Sequence, residues 1–235
     1  MKNYPRTSKY NQSWISENAM GPNPLWLLED ICEHLDFRAG MKVLDMGCGK
    51  ACTSVFLAKE FGVTVFAVDR YIDPTENLRR FEAMGVTDKI YPIRAEAHAL
   101  PFANGFFDVA ISIDSYHYYG TCELYFQRTF SKLVKPDGQF GIVVPGYVKE
   151  FEDGHPVLGS FIGEGEFTFH SNAWWRKHWE KTKLVDVIAC YDIDDSHGVW
   201  SGGHGDLAWP SFTNADTEKD IAFIAMAAIK KGDNK

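Results

Sequence analysis

Val43-Leu44-Asp45-Met46-Gly47-Cys48-Gly49-Lys50 is the stretch on which the reading of this chain turns. Its apolar start reads as a buried strand over Met41–Met46, with Val43 and Leu44 inside it. Gly47-Cys48-Gly49 follows as a tight turn. Ala51–Phe61 then reads as a helix lying on a sheet through Val55, Phe56, Leu57, Ala58 and Phe61. Glycines in such a turn let a ligand approach the backbone with no Cβ in the way.

The same alternation continues outward. Strands are predicted over Val63–Val68, Lys89–Arg94, Phe107–Ile113 and Gln139–Val144. Helices are predicted over Pro74–Met84 and Cys122–Val134, the second stopped by the turn Lys135-Pro136-Asp137-Gly138. Upstream, Asn23-Pro24 opens a helix through Phe37. Downstream, Ser171–Lys183 reads as a helix, with Leu184–Ile193 and Ile221–Ile229 as two strands. This pattern predicts an α/β, three-layer, doubly wound sheet.

Composition bounds the partners. The 235 residues suit one large domain, and 45% of them are hydrophobic, enough for a real core. The formal net charge of −8, with no basic patch beyond pairs such as Arg79–Arg80, argues against a nucleic-acid partner. Five cysteines in no paired framework point to a reducing, cytoplasmic setting. No apolar run approaches the ~18 residues that a membrane span needs. His197, His204 and Asp206, or His170 and His178, do not match a compact zinc spacing, so no metal is expected.

The glycine turn alone suits NAD(P), FAD or S-adenosylmethionine (SAM). A dinucleotide turn wants a third small residue where Cys52 stands, and Asp45 would face pyrophosphate. Asp45 suits instead a ligand with an ammonium and a sulfonium. Asp69 lies 20 residues beyond Gly49, the spacing at which a carboxylate meets ribose hydroxyls. Cys48 and Cys52 sit where a helix N-terminus could lower a thiol pKa.

These segments resemble the class I SAM-dependent methyltransferases over about residues 40–145. Residues 43–49 look like the family's first motif and Phe66-Ala67-Val68-Asp69 like its second. Arg94–Phe102, Phe106–Asp114 and Leu133–Phe140 resemble three further segments, with Asp137 where a turn glycine is usual, a change that a type I turn tolerates. The resemblance implies a Rossmann-like fold with a seven-stranded, mostly parallel sheet. The last strand, Ile221–Ile229, would insert antiparallel beside Leu184–Ile193. It implies SAM as cofactor, S-adenosylhomocysteine (SAH) as product and a small-molecule acceptor, with an amine as one candidate. Sarcosine/dimethylglycine- and menaquinone-type methyltransferases are the nearest relatives it suggests.

Site roles follow from that resemblance. Tyr10, Trp14, Asp45, Gly47, Gly49, Asp69, Arg70, Glu96, Ala97, Ser112 and Ile113 would bind the cofactor, Glu96 and Ala97 at the adenine. Residues 1–40 would form an N-terminal lid and helix. Residues 41–235 would form the SAM-binding domain, with segments 146–180 and 194–220 covering the substrate. Beyond the fourth strand, His117 is a candidate general base, and Asp114 and Tyr116 are candidates to orient the acceptor. Tyr118, Tyr147, Trp200 and Trp209 are candidate substrate contacts, through aromatic packing on a cation, whereas Trp175 and Trp179 have the helical spacing of core residues. An NAD(P)-dependent oxidoreductase and a non-catalytic SAM sensor are the competing readings.

Overall fold

The computed structural model describes residues 2–151, 168–194, 196–201 and 220–232. Seven strands form one sheet: β1 (Lys42–Met46), β2 (Thr64–Asp69), β3 (Ile90–Arg94), β4 (Phe107–Ile113), β5 (Val134–Tyr147), β6 (Val185–Asp192) and β7 (Ile221–Lys230). Their order is β3-β2-β1-β4-β5-β7-β6. β1 to β5 pair in parallel. β7 runs antiparallel to both of its neighbours, β5 and β6. The predicted mixed sheet and the inserted last strand are both found.

β1 is the hinge of this topology. From it the chain winds out to β2 and β3, then returns to β4 on the other side. The strand order reverses between β1 and β4, and α/β sheets open a crevice at the carboxyl ends of such a pair.

Successive residues of a strand face opposite layers. Val43, Val109 and Ile111 pack on one face with α2 (Pro24–Ile31) and α3 (Cys52–Phe61). Leu44 and Ala110 pack on the other with Trp175 and Trp179 of α7 (Asn172–Glu180). Leu25, Leu27, Leu28 and Ile31 of α2 are fully buried. Each such side chain contributes roughly 1.5–3 kcal/mol as an upper estimate. The segment before β1 is therefore part of the same core. Caps set the helix starts: Asn11 for α1 (Gln12–Asn18), Asn23 for α2, Asp73 for α4 (Pro74–Met84) and Ser171 for α7, each accepting backbone N–H bonds.

Three predicted elements are corrected. The helix expected through Phe37 stops at Ile31 and closes with a 3₁₀ turn, Cys32–His34. After a short α5 (His117–Gly120), the helix expected over Cys122–Val134 is a π turn, Phe126–Phe130, running into a short α6 (Ser131–Leu133). Its wider turn keeps both Phe126 and Phe130 against Trp179, with ring centroids 4.3 Å and 6.3 Å away. The turn Lys135–Gly138 lies inside β5: pairing jumps from Phe107–Val134 to Val109–Gln139. Asp137 there has φ +60°, so it occupies a left-handed position and not the type I turn expected.

Candidate functional site

The crevice at β1 and β4 holds a cleft of about 620 Å³. Gly47, Gly49, Asp69, Arg70, Glu96 and Ala97 line it from the β1–β3 side, and Ile113, Asp114 and Tyr118 from the β4 side.

The glycine turn needs its glycines. Gly47 and Gly49 have φ of +71° and +53°, which side chains rarely adopt. A Cβ on Gly47 would overlap Ser115 Oγ and stand 2.5 Å from its Cβ; one on Gly49 would stand 2.8 Å from Met20 Sδ. Gly47 and Cys48 donate their N–H groups to the Val68 carbonyl, tying the turn to β2.

Asp69 closes β2 and organises both flanking loops. Its Oδ2 accepts from Gly49 N at 2.9 Å, and its Oδ1 from Tyr71 N at 2.7 Å and Ile72 N at 3.0 Å. A carboxylate has about four acceptor positions, so capacity remains toward the cleft. Next along this wall, Arg70 Nη1 pairs with Glu96 Oε2 at 3.1 Å, and the Ala97 carbonyl accepts from Tyr125 OH at 3.1 Å.

Asp45 stands behind the turn and does not line the cleft. Its Oδ2 accepts from Thr53 Oγ1 and Ser54 Oγ, both at 2.6 Å. Burial raises its carboxyl to about 6 against those two hydrogen bonds. It fastens the end of β1 to the first turn of α3. Ser112 is likewise buried, donating to the Met46 carbonyl at 2.8 Å. Cys48 and Cys52 are buried, which pushes the Cys48 thiol well up and the Cys52 thiol to about 12. A helix-activated thiolate is thereby excluded.

On the other wall, Asp114 follows β4 at φ +53°, with its N–H held by the Val143 carbonyl at 2.7 Å. Burial alone raises its carboxyl to about 7. Tyr118, 67% exposed, stands beside it.

The neighbours predicted with Asp114 point elsewhere. Tyr116 is fully buried among Tyr119, Tyr125, Phe130, Trp175 and Trp179, so it is a core residue and does not orient an acceptor. His117 is buried under Tyr118, with ring centroids 4.0 Å apart, and burial lowers it to about 3. It does not line the cleft and is too weak a base for the predicted role. Tyr147 is buried against Phe151 and Phe169. Tyr10 and Trp14 line a separate hollow beside Lys9 and Glu60, and not the cofactor side of the cleft. Trp175 and Trp179 are fully buried, as their spacing predicts. Trp200 falls in α8 (Ser196–Ser201); its side chain, and Trp209, His204 and Asp206, lie outside the described residues.

Met20, Gly21, Ser115 and Tyr119, to which the sequence assigned no individual site role, also line the cleft. Tyr119 OH meets Ser112 Oγ at 2.9 Å and Ser115 Oγ at 3.3 Å. The i, i+4 spacing of Ser115 and Tyr119 was the available signal.

Comparison with known proteins agrees with this architecture. Residues 43–138 match the family model described as "Methyltransferase domain", a span from β1 to the turn within β5. A sarcosine/dimethylglycine N-methyltransferase from Aphanothece halophytica is 29% identical over 132 residues, covering 54% of this chain and 47% of that one. Phosphoethanolamine N-methyltransferase 1 from Triticum aestivum is 26% identical over 164 residues, covering 68% of this chain and 32% of that protein. The chain thus spans less than half the length of the curated relatives it matches. Among solved structures, a SAM-dependent methyltransferase from Thiobacillus denitrificans, in complex with SAH, superposes with a TM-score of 0.68. It shares 17% identity, with 88% of this chain and 91% of that one covered. Over residues 43–138 the chain is thus similar to the methyltransferase domain, and its glycine turn, acidic strand ends and sheet order lie in or around that span.

Proposed function

We propose that this protein transfers a methyl group from SAM to a small-molecule amine. The observation that carries this reading is a single cleft with a glycine cradle on one wall and the Asp114 carboxylate on the other. The residues suit the cofactor: two positive-φ glycines admit a ligand against the backbone, and Asp69 keeps acceptor capacity for ribose hydroxyls. Glu96 and Ala97 would hold the adenine, Gly47 and Gly49 the methionine portion, and Ile113 an apolar flank.

When bound, SAM supplies a methyl group already activated by its sulfonium. The chain's own residues then have to align an acceptor, exclude water and accept a proton. Asp114 would hold the acceptor's ammonium and take its proton, freeing the lone pair for attack. A carboxyl near 7 suits that exchange at neutral pH. The exposed face of Tyr118 adds cation–π attraction. The cations that line the cleft are engaged elsewhere: Lys50 with the Glu17 carbonyl at 3.0 Å, and Arg70 with Glu96. That charge pattern favours a cationic acceptor over an anionic one. The two similar N-methyltransferases, of phosphoethanolamine and of sarcosine/dimethylglycine, support the same class.

The match to a methyltransferase model supports this reading over an oxidoreductase. Of the lid and helix expected over residues 1–40, the stretch with Asn18, Met20, Gly21 and Pro22 would serve as the lid, since it borders the cleft, while α2 packs in the core; much of the two proposed covering segments lies outside the described residues. No helix among the described residues is long and apolar enough to cross a membrane. Five free cysteines and the net charge of −8 support a cytoplasmic setting and a partner that is not nucleic acid.

The test is calorimetric titration with SAH and with NADH, followed by SAH release over a panel of amines, alcohols, thiols and phenols. SAH binding and turnover on an amine are expected. Binding of NADH alone overturns the cofactor; turnover confined to non-amines overturns the acceptor class. SAH binding without turnover on any acceptor favours the sensor reading.

A further inference from the structure

Asn18, Met20, Gly21 and Pro22 border the cleft from the strap that joins α1 to α2. The Gly49 peptide, on the facing side, is gripped from both directions. Its N–H donates to Asp69 at 2.9 Å, and its carbonyl accepts from Asn77 Nδ2 at 3.0 Å. Asn77 is a buried residue of α4. Its Oδ1 accepts in turn from Arg80 Nη1 at 2.9 Å, one helical turn further on. Arg80 Nε donates to Asn18 Oδ1 at 3.0 Å, at the end of α1. A guanidinium carries several donors in a fixed fork, so one side chain can hold two partners at set angles. Four consecutive hydrogen bonds therefore run from the end of β2, through the glycine turn and α4, to the strap. Neither Asn77 nor Arg80 lines the cleft.

We propose that Arg80 is a positioning residue that latches the strap to the glycine turn and so sets how long the cofactor is retained. The inference rests on the reading of the cleft as a SAM site. Opening of the strap requires the Arg80–Asn18 bond to break, while Asn77 keeps the Gly49 carbonyl turned into α4. The Arg80 side chain is only 22% exposed, so its bonds are partly shielded from competing water. Lys50 Nζ on the Glu17 carbonyl is a second, exposed tie between the same two parts.

The experiment measures SAH release by stopped-flow displacement in the full chain and in Arg80→Met, Asn18→Ala and the double variant. Each single variant is expected to speed release about tenfold, the effect of one charge-assisted hydrogen bond. The double variant should release no faster than either single one, because both break the same link. KM for SAM should rise with the release rate in Arg80→Met, while KM for the acceptor and kcat stay within about twofold. Release at the wild-type rate, or additive effects, overturns the latch. So does an affinity loss that merely follows a lowered melting temperature and vanishes on cooling. If Arg80→Met does not fold, Arg80→Gln takes its place in the same cycle. A wild-type chain that does not bind SAH removes the cofactor reading itself; one that binds it, with unchanged variants, removes only the latch.

Discussion

On the β1–β2 side of the cleft, the Asp69 carboxylate is already held by three backbone N–H groups; on the β4 side, the Asp114 carboxylate has no hydrogen bond among the described residues. Asp69 is thereby fixed before any ligand arrives; behind it, Asp45 Oδ2 is held by two hydroxyls while its buried Oδ1 has no partner among the described residues. Asp114, half-buried at the cleft, is shifted upward by desolvation, with no opposing hydrogen bond or charge among the described residues. The difference teaches a division of labour. Preorganised dipoles suit a ligand that is the same at every turnover, whereas a half-buried acid with open acceptor positions is a site that waits for a charge.

The sharpest way to break the comparison is Gly47→Ala. The added Cβ meets Ser115 and the residue must hold φ +71°. Relieving the clash displaces the turn, and if binding must restore it at a cost of about 1–3 kcal/mol, SAH affinity should fall by roughly 10- to 100-fold. Calorimetric titration reads the change, and near wild-type affinity would show that the turn does not cradle the ligand.

Asp114→Asn probes the other wall. With the amine acceptor, kcat/KM should drop by about 10²- to 10³-fold while SAH binding stays within about twofold. In the parent enzyme, kcat/KM should fall as pH drops below about 7, and the variant should lose that limb. The same group shapes stability. A carboxyl held near 7 in the folded chain binds its proton more tightly than in the unfolded chain. Stability therefore declines as pH rises from about 4 to about 7. Asp114→Asn should remove that decline and stabilise the protein at pH 8 by roughly 1–2 kcal/mol, allowing for its open side. Melting curves across pH check the sign.

The smallest effect lies away from both walls. Asp137→Gly relieves a left-handed residue at φ +60° and should add about 0.5–1 kcal/mol with activity unchanged. A loss of stability would show that the Asp137 side chain has a role that outweighs its backbone strain.

The fold was legible because β1 to β5 advertise themselves locally, through apolar runs, caps and glycine stops. The glycine turn and Asp69 were legible for the same reason, since both are set by short spacing. The β4 side was read less well. His117, Tyr116 and Asp114 stand adjacent in sequence, yet a short helical turn sends Tyr116 into the aromatic core and lays His117 beneath Tyr118. Adjacency could not separate them, because their directions depend on packing against α7 and Phe169. Asp45 was misjudged likewise: its partners, Thr53 and Ser54, come from the next helix, and only the folded turn turns its carboxylate toward them.

The sheet order also imposes a timetable on folding. β7 fills the gap between β5 and β6, and its residues Ile221–Ala228 are all buried. During synthesis β1 to β5 can assemble as soon as they emerge, and the cleft's walls with them. β6 has no pairing partner until residues 221–230 are made, so it must wait as an unpaired strand. The closing step joins segments distant in sequence and is expected to be the slow one.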